Sequence, residues 1–114
     1  MEWIAHNADG WITYHRNIES QQQVVQRWRN AVLATTPELH KPFSQSYVSD
    51  LTDKLNQLST PIRLGHTLGR KALISHLQAA KSIGVDHIMI ILKYGSRPAK
   101  EVIQELAEFV LPTL

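Results

Sequence analysis

Side chains that could bind a ligand lie at the ends of two predicted strands. Tyr14, His15 and Arg16 close the first strand, and Lys93 and Arg97 follow the third. The carboxyl ends of parallel strands commonly border a binding site, so these phenol, imidazole and cationic groups are candidates for contacting an anionic ligand. The alternative is structural. The two arginines would form surface salt bridges, the lysine would be solvated, and the histidine would occupy a turn.

The six histidines give no metal-binding pattern. No two of them are three or four residues apart, and no His-Glu-x-x-His motif occurs. The chain has no cysteine, which excludes thiolate ligands, a disulfide framework and thiol catalysis. The sequence therefore predicts no metal site.

Composition and charge restrict the class of protein. At 114 residues and 43% hydrophobic, the sequence is typical of one globular domain, residues 1–114. The formal net charge of +2 is too small to indicate a nucleic-acid partner. The longest aliphatic run, 88–92, is far short of the roughly 20 residues of a membrane span, and no signal peptide is recognisable. We therefore expect a soluble, cytoplasmic protein with no membrane partner.

Short apolar stretches alternate with amphipathic ones along the chain. Strands are predicted at 11–14, 43–48 and 85–92, and the unbroken apolar run of the third favours burial on both of its faces. Helices are predicted after each strand, the first of them capped by Asn17 and carrying Trp28 on its apolar stripe. A short helix is also predicted where Leu51, Leu55 and Leu58 recur at helical spacing. The strand–helix units are 9–36, 42–84 and 85–112.

This alternation predicts an α/β fold with parallel strands and helices on both faces of the sheet. Three strands leave two edges unprotected, so the chain should either assemble with copies of itself or belong to something larger.

Two segments carry a family resemblance. The first is Glu2-Trp3-Ile4-Ala5-His6-Asn7-Ala8-Asp9-Gly10-Trp11-Ile12-Thr13-Tyr14. The second combines Leu68-Gly69-Arg70, Gly84-Val85-Asp86-His87-Ile88, Leu92-Lys93-Tyr94-Gly95-Ser96-Arg97-Pro98-Ala99, Glu105-Leu106-Ala107-Glu108 and Val110-Leu111-Pro112. Together they resemble the C-terminal portion of luciferase-like (bacterial luciferase family) flavin-dependent monooxygenases. His15 departs from this pattern, since the family often has proline there.

The resemblance implies a partial TIM (β/α)8 barrel made of about three parallel βα units from the end of the barrel. Members bind FMN, and the reduced flavin reacts with O2 to oxidise an organic substrate. By resemblance, Tyr14, His15 and Arg16 are cofactor-binding and Lys93 and Arg97 substrate-binding, whereas no catalytic residue is assigned. A complete barrel needs about 250 residues, and the family's flavin phosphate site would precede Met1. We therefore expect no turnover by the isolated chain.

Two other interpretations remain open. One is a non-catalytic, self-associating α/β module, and the other is a truncated remnant of a barrel. The expected partner is another copy of the chain, as in a homo-oligomer, or a missing N-terminal half-barrel.

Overall fold

A curled, mostly parallel sheet of five strands forms the centre of the computed structural model, which describes residues 1–114. Four α-helices accompany it, so the predicted α/β class is confirmed. The last helix continues into a wider π-helical segment and a final 3₁₀ turn. In chain order the elements are α1 Glu2–Asn7, β1 Trp11–Thr13, α2 Ile18–Thr35, β2 Phe43–Leu51, β3 Thr60–Ile62, β4 Gly65–Leu68, α3 Arg70–Ser82, β5 His87–Ile91, α4 Ala99–Glu105, the π segment Leu106–Val110 and the 3₁₀ turn Leu111–Thr113.

The three predicted strands lie side by side in chain order. Strand β2 is central and pairs in parallel with β1 on one side, where Trp11 is opposite Phe43. On its other side β2 pairs in parallel with β5, where Gln45 is opposite Ile88. The predicted parallel pairing is therefore confirmed for these strands.

A hairpin replaces the short helix predicted around Leu51, Leu55 and Leu58, so that prediction is wrong. Leu51 ends β2 and is buried, whereas Leu55 and Leu58 are exposed and supply no packed helical face. Strands β3 and β4 pair antiparallel, and β4 continues the sheet in parallel beside the second half of β2. Leu68 of β4 lies opposite Leu51 and is fully buried with it, so tertiary packing overrides the local helical spacing.

Helix α2 follows the predicted pattern closely. The side chain of Asn17 accepts a hydrogen bond from the backbone N–H of Ser20 at 2.9 Å, which caps the helix. The predicted stripe is buried at Val25 and Trp28, and the Trp28 indole N–H donates to the carbonyl of Lys41 at 3.0 Å. This stripe packs on the sheet and anchors α2 to the segment that enters β2.

All four helices contribute to one face of the sheet, not to both as predicted. Two apolar clusters hold residues of every helix, and Ile88 of β5 packs against both. Phe43 and Leu51 of β2 belong to these clusters and share a face with Ile88 by strand register. The alternating side chains of β5, such as Met89, point to the opposite face. The residues of β5 are at least partly exposed, so the predicted burial of this strand on both faces is wrong.

The connection from α3 to β5 needs a backbone conformation that glycine adopts most easily. Gly84 has φ of +101°, in the left-handed region where a β-carbon is strained. This turn reverses the chain between Ser82 and β5 and allows parallel pairing with β2.

No helix in the structure is long and apolar enough to cross a membrane.

Candidate functional site

A polar cavity of about 280 Å³ lies beside the carboxyl end of β1, between the sheet, the start of α2 and the side of α3. Four aromatic side chains line it and contact one another, and we call them the histidine–tyrosine cluster. They come from the loop after β1, from β2, from β4 and from α3: His15, Tyr47, His66 and His76. The fold thus gathers residues that are up to 61 positions apart in the chain.

Tyr47 is the centre of the cluster. Its hydroxyl lies 2.9 Å from Nδ1 of His66 and 2.7 Å from Nδ1 of His76. The hydroxyl carries one proton and can donate to only one of these nitrogens, so the other imidazole must donate its own Nδ1–H to the hydroxyl oxygen. The two histidines therefore have opposite tautomers when both contacts are hydrogen bonds.

His15 completes the cluster by ring packing. Its ring centroid is 4.8 Å from that of Tyr47 and 5.2 Å from that of His66, while His66 and His76 are 4.9 Å apart. The Nδ1 atom of His15 is buried and has no hydrogen-bond partner. The loop after β1 is thereby held against both β2 and β4.

The cluster is uncharged at neutral pH. Burial and, to a smaller extent, the neighbouring imidazoles of His66 and His76 together lower the pKa of His15 to about 4. Burial also lowers the pKa of His66 and of His76, and it raises the pKa of the Tyr47 hydroxyl. Because each group stays neutral, the cluster offers hydrogen-bond donors and acceptors rather than charge.

Two glutamines support the cavity wall. The Gln21 side-chain N–H donates to the Gln45 side-chain oxygen at 2.7 Å and also lies 3.2 Å from the carbonyl oxygen of Tyr14. The Gln21 oxygen accepts from Arg16 at 3.1 Å, and Arg16 also donates to the hydroxyl of Thr13. Both glutamines are buried, so this network fixes the loop after β1 onto α2 and β2.

The structure brings together only some of the residues predicted to form a site. His15 and Arg16 both line the cavity, but Tyr14 is 66% exposed and does not line it. Lys93 and Arg97 do not line this cavity. Their substrate-binding role stays a prediction.

Arg97 has the structural role that we gave as the alternative. It forms a salt bridge with Glu105 at 2.9 Å, and Arg70 forms a second one with the same carboxylate at 3.0 Å. Both cations hold the pKa of Glu105 below its usual value despite its burial. Lys93 is exposed and lies over the ring of Tyr94, 5.6 Å from its centroid.

Two of the histidines are arranged around one hydroxyl group. No group of three His, Asp or Glu side chains is arranged to hold a metal ion. His66 and His76 both turn Nδ1 toward the hydroxyl of Tyr47. The arrangement is a hydrogen-bonded network.

Sequence reasoning missed three of the four residues of the histidine–tyrosine cluster. Histidine spacing along a single helix gives no signal for His66 and His76, because these residues come from β4 and α3. One signal was available for Tyr47, because the alternation in β2 puts it on the same face as Phe43 and Gln45. That face packs against the helices.

No protein-family model matches the chain, and no curated protein matches it.

Proposed function

We propose that this chain is the C-terminal part of a luciferase-like, FMN-dependent monooxygenase barrel and provides one wall of a flavin site. The observation that carries the proposal is the neighbouring order of β1, β2 and β5. They are parallel, follow chain order, and have every helix on one face. A (β/α)8 barrel repeats this arrangement around its axis, with the helices outside.

The position of two predicted cofactor residues at a strand end also supports it, although the cavity that they line is on the helix-covered face of the sheet. His15 and Arg16 follow β1 directly and line the cavity at its carboxyl end. Active sites of (β/α)8 barrels are built from loops at this end of the strands. FMN would supply the redox chemistry, and these residues would contact part of it.

The residues present do not fit the whole of FMN. The cavity of about 280 Å³ is below the range of about 300–1,000 Å³ usual for ligand pockets. Arg16 is the only Lys or Arg that lines it, and its guanidinium is already bound to Thr13 and Gln21. A phosphate would therefore find no available cation here, and we derive no catalytic step through the flavin from this chain.

Flavin fluorescence tests the proposal. Because the phosphate site is expected outside this chain, FMN and riboflavin should bind weakly and with similar affinity. The chain should therefore quench the fluorescence of both flavins over the same range of protein concentration. His15→Ala should weaken the quenching, whereas His6→Ala, a change at an exposed histidine of α1, should not. The absence of quenching at every protein concentration, or a much higher affinity for FMN than for riboflavin, would overturn the flavin wall as proposed.

Turnover provides a second readout. The chain with added FMN should not oxidise a reduced nicotinamide in air, because one wall of the site is insufficient. Steady oxidation by the chain alone would contradict the claim that it is incomplete.

A non-catalytic, self-associating α/β module is the second candidate function. The uncovered edge of β5 and the partial exposure of its residues favour it. It predicts a defined oligomer that does not bind flavin. A monomer without exposed apolar surface in dye binding would refute it and leave a truncated barrel remnant as the explanation.

A further inference from the structure

Two parallel strands have an edge that no other strand covers. β1 and β5 each pair with β2, on its opposite sides, and with no other strand. An uncovered edge presents unpaired N–H and C=O groups that another strand can bind. Because both strands run parallel to β2, a β1 strand could extend the sheet beyond β5 in the same direction.

An apolar groove lies on the helix-covered side of the β5 edge. It has a volume of about 680 Å³ and lies between β5, the end of α3, and α4 with its π segment. Ile88 and Ile90 form its floor from β5, and Ile103 of α4 lines it while 58% exposed. Nothing in this chain fills the groove.

The β1 side of the sheet carries exposed apolar side chains. Helix α1 packs beside β1 on the helix-covered face through Ala5. Trp3 of this helix is 74% exposed, and Ile12 of β1 is 64% exposed. An apolar projection therefore accompanies the uncovered edge of β1, just as an apolar groove accompanies that of β5.

We propose that a second copy of this chain places its β1 along the β5 edge and inserts its Trp3 into the groove. The charges at the two surfaces agree, because Lys81 lines the groove and Glu2 precedes Trp3 on α1, while the acidic residue of the groove, Asp86, is already paired with Arg29. A two-fold axis repeats the contact, so β5 of each copy meets β1 of the other. Strands β1, β2 and β5 of each copy then close into one ring, and neither β1 nor β5 keeps an uncovered edge.

This inference does not depend on flavin binding. The edge, the groove and the exposed tryptophan belong to different surfaces from the histidine–tyrosine cavity. An assembled chain that binds no flavin would leave the inference standing, whereas a flavin-binding monomer would overturn it.

Solution mass with paired variants tests the contact. We expect the wild-type chain to have twice its monomer mass of 13.0 kDa by sedimentation or light scattering. Trp3→Glu and Ile103→Glu should each raise the dimer dissociation constant about 30-fold or more, as loss of a central interface side chain does. Both positions are exposed, so circular dichroism should show unchanged folding.

Leu33→Glu is the matched control. Leu33 is 65% exposed on α2 and does not line the groove, so this variant should remain a dimer. A wild-type monomer at the highest protein concentration reached would overturn the proposal and favour a different chain as the partner. A dimer dissociation constant that is unchanged by either Trp3→Glu or Ile103→Glu would also overturn it, because another element would then occupy the edge.

Discussion

Acidification should weaken the fold through His15 before any carboxylate contributes. Burial and two neighbouring imidazoles lower its pKa from 6.5 to about 4. The unfolded chain therefore binds a proton at a higher pH than the folded chain does. The contribution of His15 to the free energy of unfolding is fully present above pH 6.5, and it falls as the pH drops from 6.5 through 4.

The size of this effect follows from the difference between the pKa of His15 in the unfolded chain and its pKa in the folded chain. One pKa unit corresponds to about 1.4 kcal/mol, so the interval between 6.5 and about 4 corresponds to at most about 3.5 kcal/mol. His15 is partly exposed, and solvent screening reduces this to about 1–2 kcal/mol. Between pH 7 and pH 5 we expect a loss of about 1 kcal/mol from this residue, with His66 and His76 adding in the same direction.

Urea unfolding followed by tryptophan fluorescence at pH 7 and pH 5, at one protein concentration, measures this loss. His15→Gln should reduce the difference between the two pH values by about 1 kcal/mol, whereas His6→Gln should leave it unchanged. Asp86 and Glu105 have lowered pKa values, so their contributions are lost only at lower pH. Equal stability at pH 7 and pH 5, or a wild-type difference in His15→Gln, would refute the reasoning.

Three further changes test individual parts of the structure by the same urea measurement. Tyr47→Phe removes the hydroxyl shared by His66 and His76 and should cost about 1–3 kcal/mol, since it leaves partly buried imidazole nitrogens unpaired; no loss would mean that the two contacts are absent in solution. Trp28→Ala empties a fully buried core position and should cost about 3–5 kcal/mol, so an unaffected midpoint would contradict the packing of α2 on the sheet. Gly84→Ala places a β-carbon at φ of +101° and should destabilise the chain by about 1 kcal/mol or more, and a gain in stability would show that the turn differs.

The strand–helix alternation was predictable because its signals are local. Asn17 caps α2, Trp28 lies on a stripe of helical period, and the apolar run around Ile88 forms a strand. Each of these patterns needs only neighbouring residues, so the sequence alone indicates it.

The hairpin β3–β4 was not predictable in this way. Leu51 and Leu58 stand at helical spacing with Leu55, but the pairing of Leu51 with Leu68 determines the outcome, and no local pattern records that pairing. The arrangement of helices on one face is also a tertiary property, since an apolar β5 run looks the same whether one face or both are covered.

The candidate site was predicted only where it follows a strand directly. His15 and Arg16 were found from their position after β1, and the cavity contains both. Tyr47, His66 and His76 were missed because their contacts depend on β4 and α3 meeting over β2. The sequence also predicts Arg97 as a binding residue. In the structure Arg97 forms a salt bridge with Glu105, which lies eight positions further along the chain.

One measurement addresses the two proposals together, namely that a second copy of this chain completes the sheet and that its cavity wall contacts flavin. The chain is sedimented with FMN while protein absorbance and visible flavin absorbance are recorded together. We predict that flavin absorbance moves with a species of twice the 13.0 kDa chain mass. Flavin moving with the monomer would contradict completion by a second copy, and a dimer that leaves all flavin behind would contradict the flavin function.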